Sequence, residues 1–419
     1  MECTLVKKLI SKTLKIIKVR DELKTSIKIS NSHICNRLHK CFCKIFENRE
    51  VTTKILLDIE SILDYVEDEI NIGHWSKVPL DLRRTYTIAS FIKMVLCLKF
   101  HKNNIDINKL REILRCIDKG LLLGAPLKNN PELLTKAATI LSKSIHEHFP
   151  EHSLIIESES GGDLKSDEVC NQPQFMFSNI DALEIDFITL PSLEHFSVYF
   201  RNQHPLKLQG CIDHWPARTK WKNIEYLIEM AGDRTVPVEI GTQYVDENWS
   251  QKLMTLKEFI EKYYIKKEDC IGYLAQHNLF DQIPELKKDI GIPEYCTLCE
   301  DYDNFCDPEI NCWFGPGGTV SSLHYDPKHN LLAQIYGTKQ VLLFAPSDTQ
   351  FLYPYEETLL RNTSQVDPMM PNLELYPNFK KAKMYKCLLN EGEVLYIPKK
   401  WWHHVIALDR SFSVSFWWQ

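Results

Sequence analysis

The pattern that most constrains this chain is the pair His324-Tyr325-Asp326 combined with the distant His403. On a β-strand, residues i and i+2 lie on the same face, so His324 and Asp326 can point into one site while Tyr325 points away. Two histidines and one carboxylate form the ligand set of a facial triad, which holds iron(II) on one side and leaves positions open for substrate and dioxygen. Such a site requires a second strand that brings His403 beside the first pair.

The residues around both parts of this pattern favour strands. The β-prone stretch Thr319–His324 follows the turn-forming Gly315–Gly318, and His403 lies in a segment where apolar runs flank the proline bend at Pro398. An antiparallel return of this segment would place His403 beside the first pair. With 15 histidines in 419 residues, the pattern alone also fits ordinary strand histidines.

Lys339 begins an otherwise apolar strand close to the first pair. It lies in Asn330–Phe344, which has the pattern of two strands around a Gly-Thr turn and predicts a β-hairpin. A buried ammonium group is costly without a partner, so Lys339 either reaches the surface or pairs with an anion. A dicarboxylate co-substrate is the anion that a site beside the metal ligands would bind.

Seven stretches of the chain resemble the jumonji-C (cupin-type) iron(II) and 2-oxoglutarate oxygenases. They are Val236–Gly241, Trp249–Thr255, Gly272–His277, Phe280–Leu286, Trp313–Pro316, Asn362–Asp367 and Ser411–Trp418. Together they cover roughly the last 250 residues, and weaker similarity extends over Trp75–Gly124. The resemblance implies an α+β chain, in which an amino-terminal α-helical domain precedes a jumonji-C double-stranded β-helix, or cupin barrel.

The same resemblance implies roles for individual residues. His324, Asp326 and His403 would hold iron(II), and His404 would face the other side of its strand. Lys339 would pair with the distal carboxylate of 2-oxoglutarate, and dioxygen would be the third reactant. Further contacts to the co-substrate are expected from Tyr273, Ser321, Asn330 and Trp417.

Four residues match motif positions at the mouth that admits a peptide in this family: Glu239, Tyr244, Trp249 and Trp313. A buried glutamate beside aromatic faces suits a guanidinium, which favours bidentate carboxylate pairing and ring stacking. Core packing explains Trp249 and Trp313 equally well. The resemblance thus predicts hydroxylation of an arginine side chain in a protein substrate, with histone, ribosomal and chromatin-associated proteins as candidates.

Three other functions stay open from the sequence. A histone methyl-lysine demethylase would need aromatic rings and carbonyl oxygens around an alkylated ammonium rather than a carboxylate. A divalent-metal-dependent peptidase that clips histone tails has also been proposed within the family. A non-enzymatic scaffold is the third, and the intact triad together with Lys339 disfavours it.

Composition limits the broad class of the protein. With 419 residues, of which 44% are hydrophobic, the chain can bury a large core and form about two domains. The net charge of −6 gives no reason to expect direct nucleic-acid binding. The sequence has no apolar run typical of a membrane span and no secretory signal, so membrane contact is not expected. Fourteen cysteines in such a chain indicate reduced thiols, hence a nuclear and cytoplasmic location.

A group of cysteines allows for a second metal. Cys296, Cys299, Cys306 and Cys312 have a spacing that is tight for a four-cysteine zinc site. Free thiols in a loop explain the same residues.

Periodicity divides the chain into three parts. Residues 1–150 have apolar positions three and four apart and predict a helical interaction domain. Residues 151–173 hold few apolar groups and predict a flexible linker. Residues 174–419 predict a strand-rich catalytic domain, with helices near Leu193–Asn202, Asn223–Ala231 and Leu256–Tyr264.

Overall fold

The computed structural model describes residues 2–17, 23, 27, 29, 31–47, 49–74, 77–149, 182–241, 249–266, 270–300, 306–357 and 360–419. Two compact units are present: Met1–Leu154 with Ala231–Thr235, and Ile155–Met230 with Val236–Gln419. The predicted linker, residues 151–173, lies outside the described residues, so the predicted domain boundaries remain predictions.

The first unit is helical, as predicted. Its described helices are α1 (Glu2–Lys15), α2 (Ser32–Phe46), α3 (Thr53–Asn71), α4 (Leu80–Phe100), α5 (Ile107–Leu123) and α6 (Leu133–His148). In α5 the buried residues Leu110, Ile113, Leu114 and Ile117 repeat every three or four positions and form one apolar face. Asp106 caps this helix, because its side chain accepts a hydrogen bond from the backbone N–H of Lys109 at 2.8 Å.

None of the helices in the described ranges carries an apolar run long enough to cross a lipid bilayer.

The second unit opens with short elements that flank a barrel. These are β1 (Leu183–Glu184), β2 (Phe187–Thr189), α7 (Leu193–Asn202), β3 (Leu206–Gln209), α8 (Ala217–Lys220), α9 (Ile224–Ala231), β4 (Thr235–Ile240), β5 (Ser250–Thr255), α10 (Leu256–Phe259), β6 (Gly272–His277), α11 (Leu279–Gln282) and α12 (Pro284–Lys287). A π-helix, Ile260–Ile265, continues α10. The three helices predicted in this region are therefore confirmed within a residue or two.

Eight consecutive strands form the barrel. They are β7 (Glu309–Gly315), β8 (Val320–Tyr325), β9 (His329–Tyr336), β10 (Lys339–Phe344), β11 (Met384–Leu389), β12 (Val394–Ile397), β13 (Trp402–Ala407) and β14 (Ser411–Trp418). One sheet has the order β1-β11-β10-β13-β8, and the other has the order β2-β3-β12-β9-β14-β7-β6-β4-β5. Within the barrel, consecutive strands alternate between antiparallel ladders of the two sheets, except that β10 and β11 pair with each other in one sheet, and this is the double-stranded β-helix that the sequence predicted.

Burial explains why the barrel strands are nearly continuous apolar runs. Every residue of β9, β10 and β13 is buried, because these strands lie inside their sheets and both of their faces are covered. Side chains from the two sheets meet in an apolar core that includes Leu332, Val341 and Leu395. His403 is thus carried by a fully buried strand, β13.

The predicted hairpin between β9 and β10 is wrong. The two strands are present, but β9 pairs with β12 and β14 whereas β10 pairs with β11 and β13. Between them Gly337 has φ +75°, and a Cβ at this position would lie 2.2 Å from the carbonyl oxygen of Arg410. The Gly-Thr turn therefore carries the chain from one sheet to the other instead of folding it back within one sheet.

Candidate metal centre and co-substrate pocket

His324, Asp326 and His403 converge in the barrel. In the antiparallel pair β8–β13, His403 lies directly opposite His324, so the predicted return of the second strand is confirmed. His324 Nε2 lies 3.9 Å from Asp326 Oδ1, and His403 Nε2 lies 3.6 Å from Asp326 Oδ2. One ligand atom from each residue can be chosen so that all three lie within 4.8 Å of one another.

Hydrogen bonds orient both imidazole rings toward this centre. His324 Nδ1 lies 2.7 Å from the carbonyl oxygen of Ser322, and His403 Nδ1 lies 3.0 Å from that of Trp401. Since a carbonyl oxygen only accepts, each Nδ1 carries the proton and each Nε2 keeps a lone pair for a ligand.

The carboxylate completes a donor set that fits a metal ion. Asp326 Oδ2 is buried and has no hydrogen-bond partner among the described residues. A buried carboxylate oxygen without a partner is costly, and a cation would remove that cost. Two imidazole nitrogens and one carboxylate suit iron(II) with positions left open, so the residues present fit the metal; their role as ligands remains a prediction.

Burial keeps the second histidine neutral. It lowers the pKa of His403 to about 4, and the neighbouring His324 acts in the same direction. The next residue, His404, is also buried, which lowers its pKa to about 3. Among the residues that the structure describes, His404 is not part of the converging cluster, in line with its predicted outward orientation.

A pocket of about 370 Å³, including its opening to solvent, adjoins the triad. Its other lining residues are Tyr273, Trp313, Ser321, Asn330, Leu332, Lys339, Ile397, Val405 and Trp417. All five residues predicted to contact the co-substrate are in this set. Sequence reasoning missed Leu332, Ile397 and Val405; strand alternation could have indicated Leu332 and Val405, which lie two residues after Asn330 and His403.

Lys339 is the buried cation of this pocket. Its side chain is 2% exposed, and its Nζ donates a hydrogen bond to the hydroxyl of Tyr273 at 3.2 Å. In the part of the chain with described coordinates, Lys339 makes no ion pair with a carboxylate. Asn330 Oδ1 and Trp417 Nε1 are also buried there without hydrogen-bond partners. An anion would accept hydrogen bonds from the Lys339 ammonium and from the Trp417 N–H, whereas Asn330 Oδ1 is an acceptor and would need a donor.

Removing the Lys339 ammonium should weaken binding of the co-substrate. A charge-assisted hydrogen bond typically contributes about 1.5–3 kcal/mol, so Lys339→Ala should raise the 2-oxoglutarate concentration needed for half-maximal turnover roughly tenfold or more. The measurement is succinate release against co-acid concentration. Lys380→Ala, at an exposed residue, is the matched control and should behave as wild type. An unchanged requirement in Lys339→Ala would show that the lysine does not bind the co-acid.

The ionisation of the same lysine should make the affinity for 2-oxoglutarate depend on pH. Burial lowers the pKa of Lys339 to about 7. Its charged form is therefore present below about pH 7 and is lost as the pH rises through that value. We expect the apparent 2-oxoglutarate affinity to fall from slightly acidic to slightly alkaline pH, as measured by calorimetric titration. In Lys339→Arg the charge persists over this range, so the remaining affinity should not follow the same curve.

Glu239 lies on the strand next to the pocket. On β4 it is directly opposite Tyr273 of β6, and the indole N–H of Trp249 donates a hydrogen bond to Glu239 Oε2 at 3.3 Å. Burial raises the pKa of the Glu239 carboxyl. Neither Glu239 nor Trp249 lines the pocket that holds the triad. They flank it and form a desolvated acidic position beside an aromatic ring.

Trp313 and Tyr244 are the two remaining residues that were predicted to contact the substrate. Trp313 lines the pocket, and its indole N–H donates to Ser415 Oγ at 2.9 Å, so the ring is anchored in the barrel wall. Tyr244 lies outside the described residues.

The four cysteines considered as a second metal site do not support zinc. Cys296, Cys299 and Cys312 are buried, whereas Cys306 is exposed. Within the described ranges, the His324–Asp326–His403 cluster is the one whose ligand atoms converge, and no cysteine belongs to it. Free thiols, the alternative interpretation, account for these residues.

Comparisons with known proteins agree with this geometry. The sequence profile of the family described as "Cupin-like domain" matches residues 191–419. "Lysine-specific demethylase 8" of Danio rerio is 43% identical over 366 residues, covering 85% of this chain and 86% of that protein. The protein of the same name from Xenopus tropicalis is 40% identical over 86% of this chain and 87% of its own length. "Jumonji C domain-containing protein 5" of Drosophila melanogaster is 39% identical, with 86% of both chains covered.

Proposed function

This chain belongs to the jumonji-C oxygenases of the cupin-like family, and we propose that it hydroxylates an arginine side chain in a protein substrate. Family membership supports the coarser part, a 2-oxoglutarate-dependent oxygenase with iron(II). The finer part, the choice of arginine, rests on the position of Glu239 beside Trp249. The family resemblance read from the seven sequence stretches is confirmed.

The residues of the site would have separate roles in such an enzyme. His324, Asp326 and His403 would hold iron(II). When bound, the metal and 2-oxoglutarate supply the oxidation, in which one oxygen atom of dioxygen goes to the co-acid, giving succinate and carbon dioxide, and the other goes to a substrate carbon. Lys339 would hold the distal carboxylate of the co-acid, and the apolar walls would keep water away from the reacting carbon.

A single observation carries the choice of arginine. Glu239 is a desolvated carboxylate whose one protein partner among the described contacts is the indole N–H of Trp249. A planar guanidinium could pair with both carboxylate oxygens and stack on an aromatic ring, which a lysine ammonium cannot reproduce. An acidic, aromatic position beside the pocket therefore favours an arginine side chain.

Demethylation of a methyl-lysine is the second candidate. The similar proteins from Danio rerio and Xenopus tropicalis are named "Lysine-specific demethylase 8", and these names support demethylation better than arginine hydroxylation. Trp249, Trp313 and Tyr273 would then provide the aromatic surfaces for an alkylated ammonium.

Mass spectrometry of peptides would separate the candidates. Purified protein, iron(II) and 2-oxoglutarate are incubated with arginine peptides and with matched methyl-lysine peptides of the same sequence. A gain of one oxygen on arginine supports the proposal, and loss of a methyl group from lysine supports the second candidate. Cleavage of the peptide would indicate the peptidase, and no change with any peptide would favour a scaffold. Protein carrying Asp326→Ala is the control for metal-independent chemistry.

The proposal extends to the class of substrate and to the location of this protein in the cell. A polypeptide rather than a nucleic acid is the expected partner, with histones, ribosomal proteins and chromatin-associated proteins as the candidates. A nuclear and cytoplasmic location, and an interaction role for the helical unit, are proposed with it.

A further inference from the structure

The turn between β12 and β13 is strained. It contains Pro398, Lys399, Lys400 and Trp401, and the exposed Lys400 has φ +63°. A left-handed conformation costs a non-glycine residue of this type free energy and persists only where surrounding contacts impose it. Some part of the barrel therefore holds this turn in place.

The strained turn connects two of the predicted metal ligands. The backbone N–H of Lys400 donates to the carbonyl oxygen of Asp326 at 2.8 Å. At the other end of the turn, His403 Nδ1 donates to the carbonyl oxygen of Trp401. A shift of the turn would therefore move the Asp326 backbone and rotate the His403 ring.

His329 binds the turn from inside the protein. Its side chain is fully buried, and the backbone N–H of Lys399 lies 3.3 Å from His329 Nδ1. The hydroxyl of Tyr396, the residue two before the turn, lies 3.0 Å from the same nitrogen. The ring packs against Phe200 and Trp418, with centroids 4.7 and 5.5 Å away, so its position is fixed.

The contacts determine which nitrogen of His329 carries the proton. A backbone N–H can only donate, so Nδ1 is the acceptor for both Lys399 and Tyr396, and the proton resides on Nε2. His329 Nε2 lies 3.5 Å from Glu300 Oε1, at the outer limit of a hydrogen bond. Burial lowers the pKa of His329 to about 4, which keeps the ring neutral and Nδ1 available as an acceptor.

We propose that His329 is a positioning residue for the metal centre: its Nδ1 holds the strained turn 398–401 and thereby sets the spacing of Asp326 and His403. The proposal rests on the metal assignment made above. His329 does not reach the pocket, so it acts through the turn rather than on the co-substrate or substrate.

Three substitutions at one position test this role. In His329→Asn the amide oxygen stands where Nδ1 stood, in His329→Gln it stands where Nε2 stood, and in His329→Phe the ring stays without an acceptor. Loss of a hydrogen bond made directly to a metal ligand typically weakens metal affinity about 10- to 100-fold. His329 acts one step further out, through the turn, so we expect a loss near the lower end, about tenfold, for Phe and Gln, while Asn stays within about threefold of wild type.

Relief of the strain provides a second, independent test. Glycine adopts a positive φ without cost, so Lys400→Gly needs less support from His329. The double variant His329→Phe with Lys400→Gly should regain most of the lost metal affinity, and Lys400→Gly alone should bind metal as wild type does. A merely structural histidine would not be rescued by a substitution in an exposed turn.

The readouts do not depend on catalysis. Affinity is measured with Mn²⁺ by electron paramagnetic resonance and with Co²⁺ by its visible absorption, and thermal unfolding of the metal-free protein monitors the fold. Wild-type affinity in His329→Phe, or equal affinities in the Asn and Gln variants, would overturn the proposal. If His329→Phe does not fold, the Asn–Gln comparison decides. If wild type itself binds neither metal, the proposed oxygenase function fails, which is a distinguishable result.

Discussion

Asp326→Ala should abolish divalent-metal binding and 2-oxoglutarate turnover while the chain stays folded. The substitution removes the one carboxylate of the cluster and leaves two imidazoles, which bind a divalent cation weakly. Stability should not suffer, because the deleted Oδ2 atom is buried without a hydrogen-bond partner and its removal leaves no donor unsatisfied. Co²⁺ titration, succinate release and thermal unfolding together measure these three expectations.

A matched variant distinguishes the loss of a metal ligand from a general loss of negative charge. Asp307 is an exposed aspartate just before β7, and Asp307→Ala should bind metal and turn over co-acid as wild type does. Turnover at the wild-type level in Asp326→Ala would rule out the metal assignment. A metal-binding loss accompanied by unfolding would leave His324→Ala as the deciding variant, since it removes a different ligand of the same cluster.

Glu239→Ala should nearly abolish oxidation of an arginine peptide. Removing one member of a buried charged pair typically costs about 2–5 kcal/mol, because the other charge is left desolvated and unpaired. Decay of 2-oxoglutarate without peptide oxidation should persist, since Glu239 lies outside the pocket that holds the triad and Lys339. The measurement compares oxidised peptide with succinate released in the same reaction.

Two controls show whether charge and shape matter at this position. Glu239→Gln keeps the hydrogen bond from Trp249 but removes the charge, and it should lose most of the peptide oxidation. An arginine-to-lysine peptide should fail with wild type, because an ammonium cannot form the two-pronged bond. If Glu239→Ala oxidises arginine peptides normally, or if wild type acts on methyl-lysine peptides instead, demethylation becomes the better interpretation.

Local patterns were sufficient for much of the fold. The spacing of Leu110, Ile113, Leu114 and Ile117 predicts α5, because each residue's position on a helix follows from its number alone. The same holds for the shared face of His324 and Asp326 at the end of β8. The prediction that Lys339 and Asn330 contact the same co-substrate came from the family resemblance, because no local periodicity relates residues on different strands.

The pairing partners of each strand could not be predicted from the local pattern of residues. The Gly-Thr turn at Gly337 predicts a hairpin, yet β9 and β10 belong to different sheets, because each strand pairs with strands that are distant in sequence. His329 offers no sequence signal either. Its neighbours Phe200, Tyr396 and Trp418 are distant in sequence, and only packing reveals the buried acceptor they surround.

The sequence by itself determined the helical and strand-rich parts, the residue types of the candidate metal centre and the family, because these depend on residue identity and on spacing along one element. The tertiary structure decided which charges are buried, which polar atoms lack partners and which turns are strained. Desolvation of Lys339, the unpaired oxygen of Asp326 and the contact of His329 Nδ1 with the backbone N–H of Lys399 all depend on atoms from distant segments. Burial and strain are properties of the packed chain, so they become visible only when the strands are brought together.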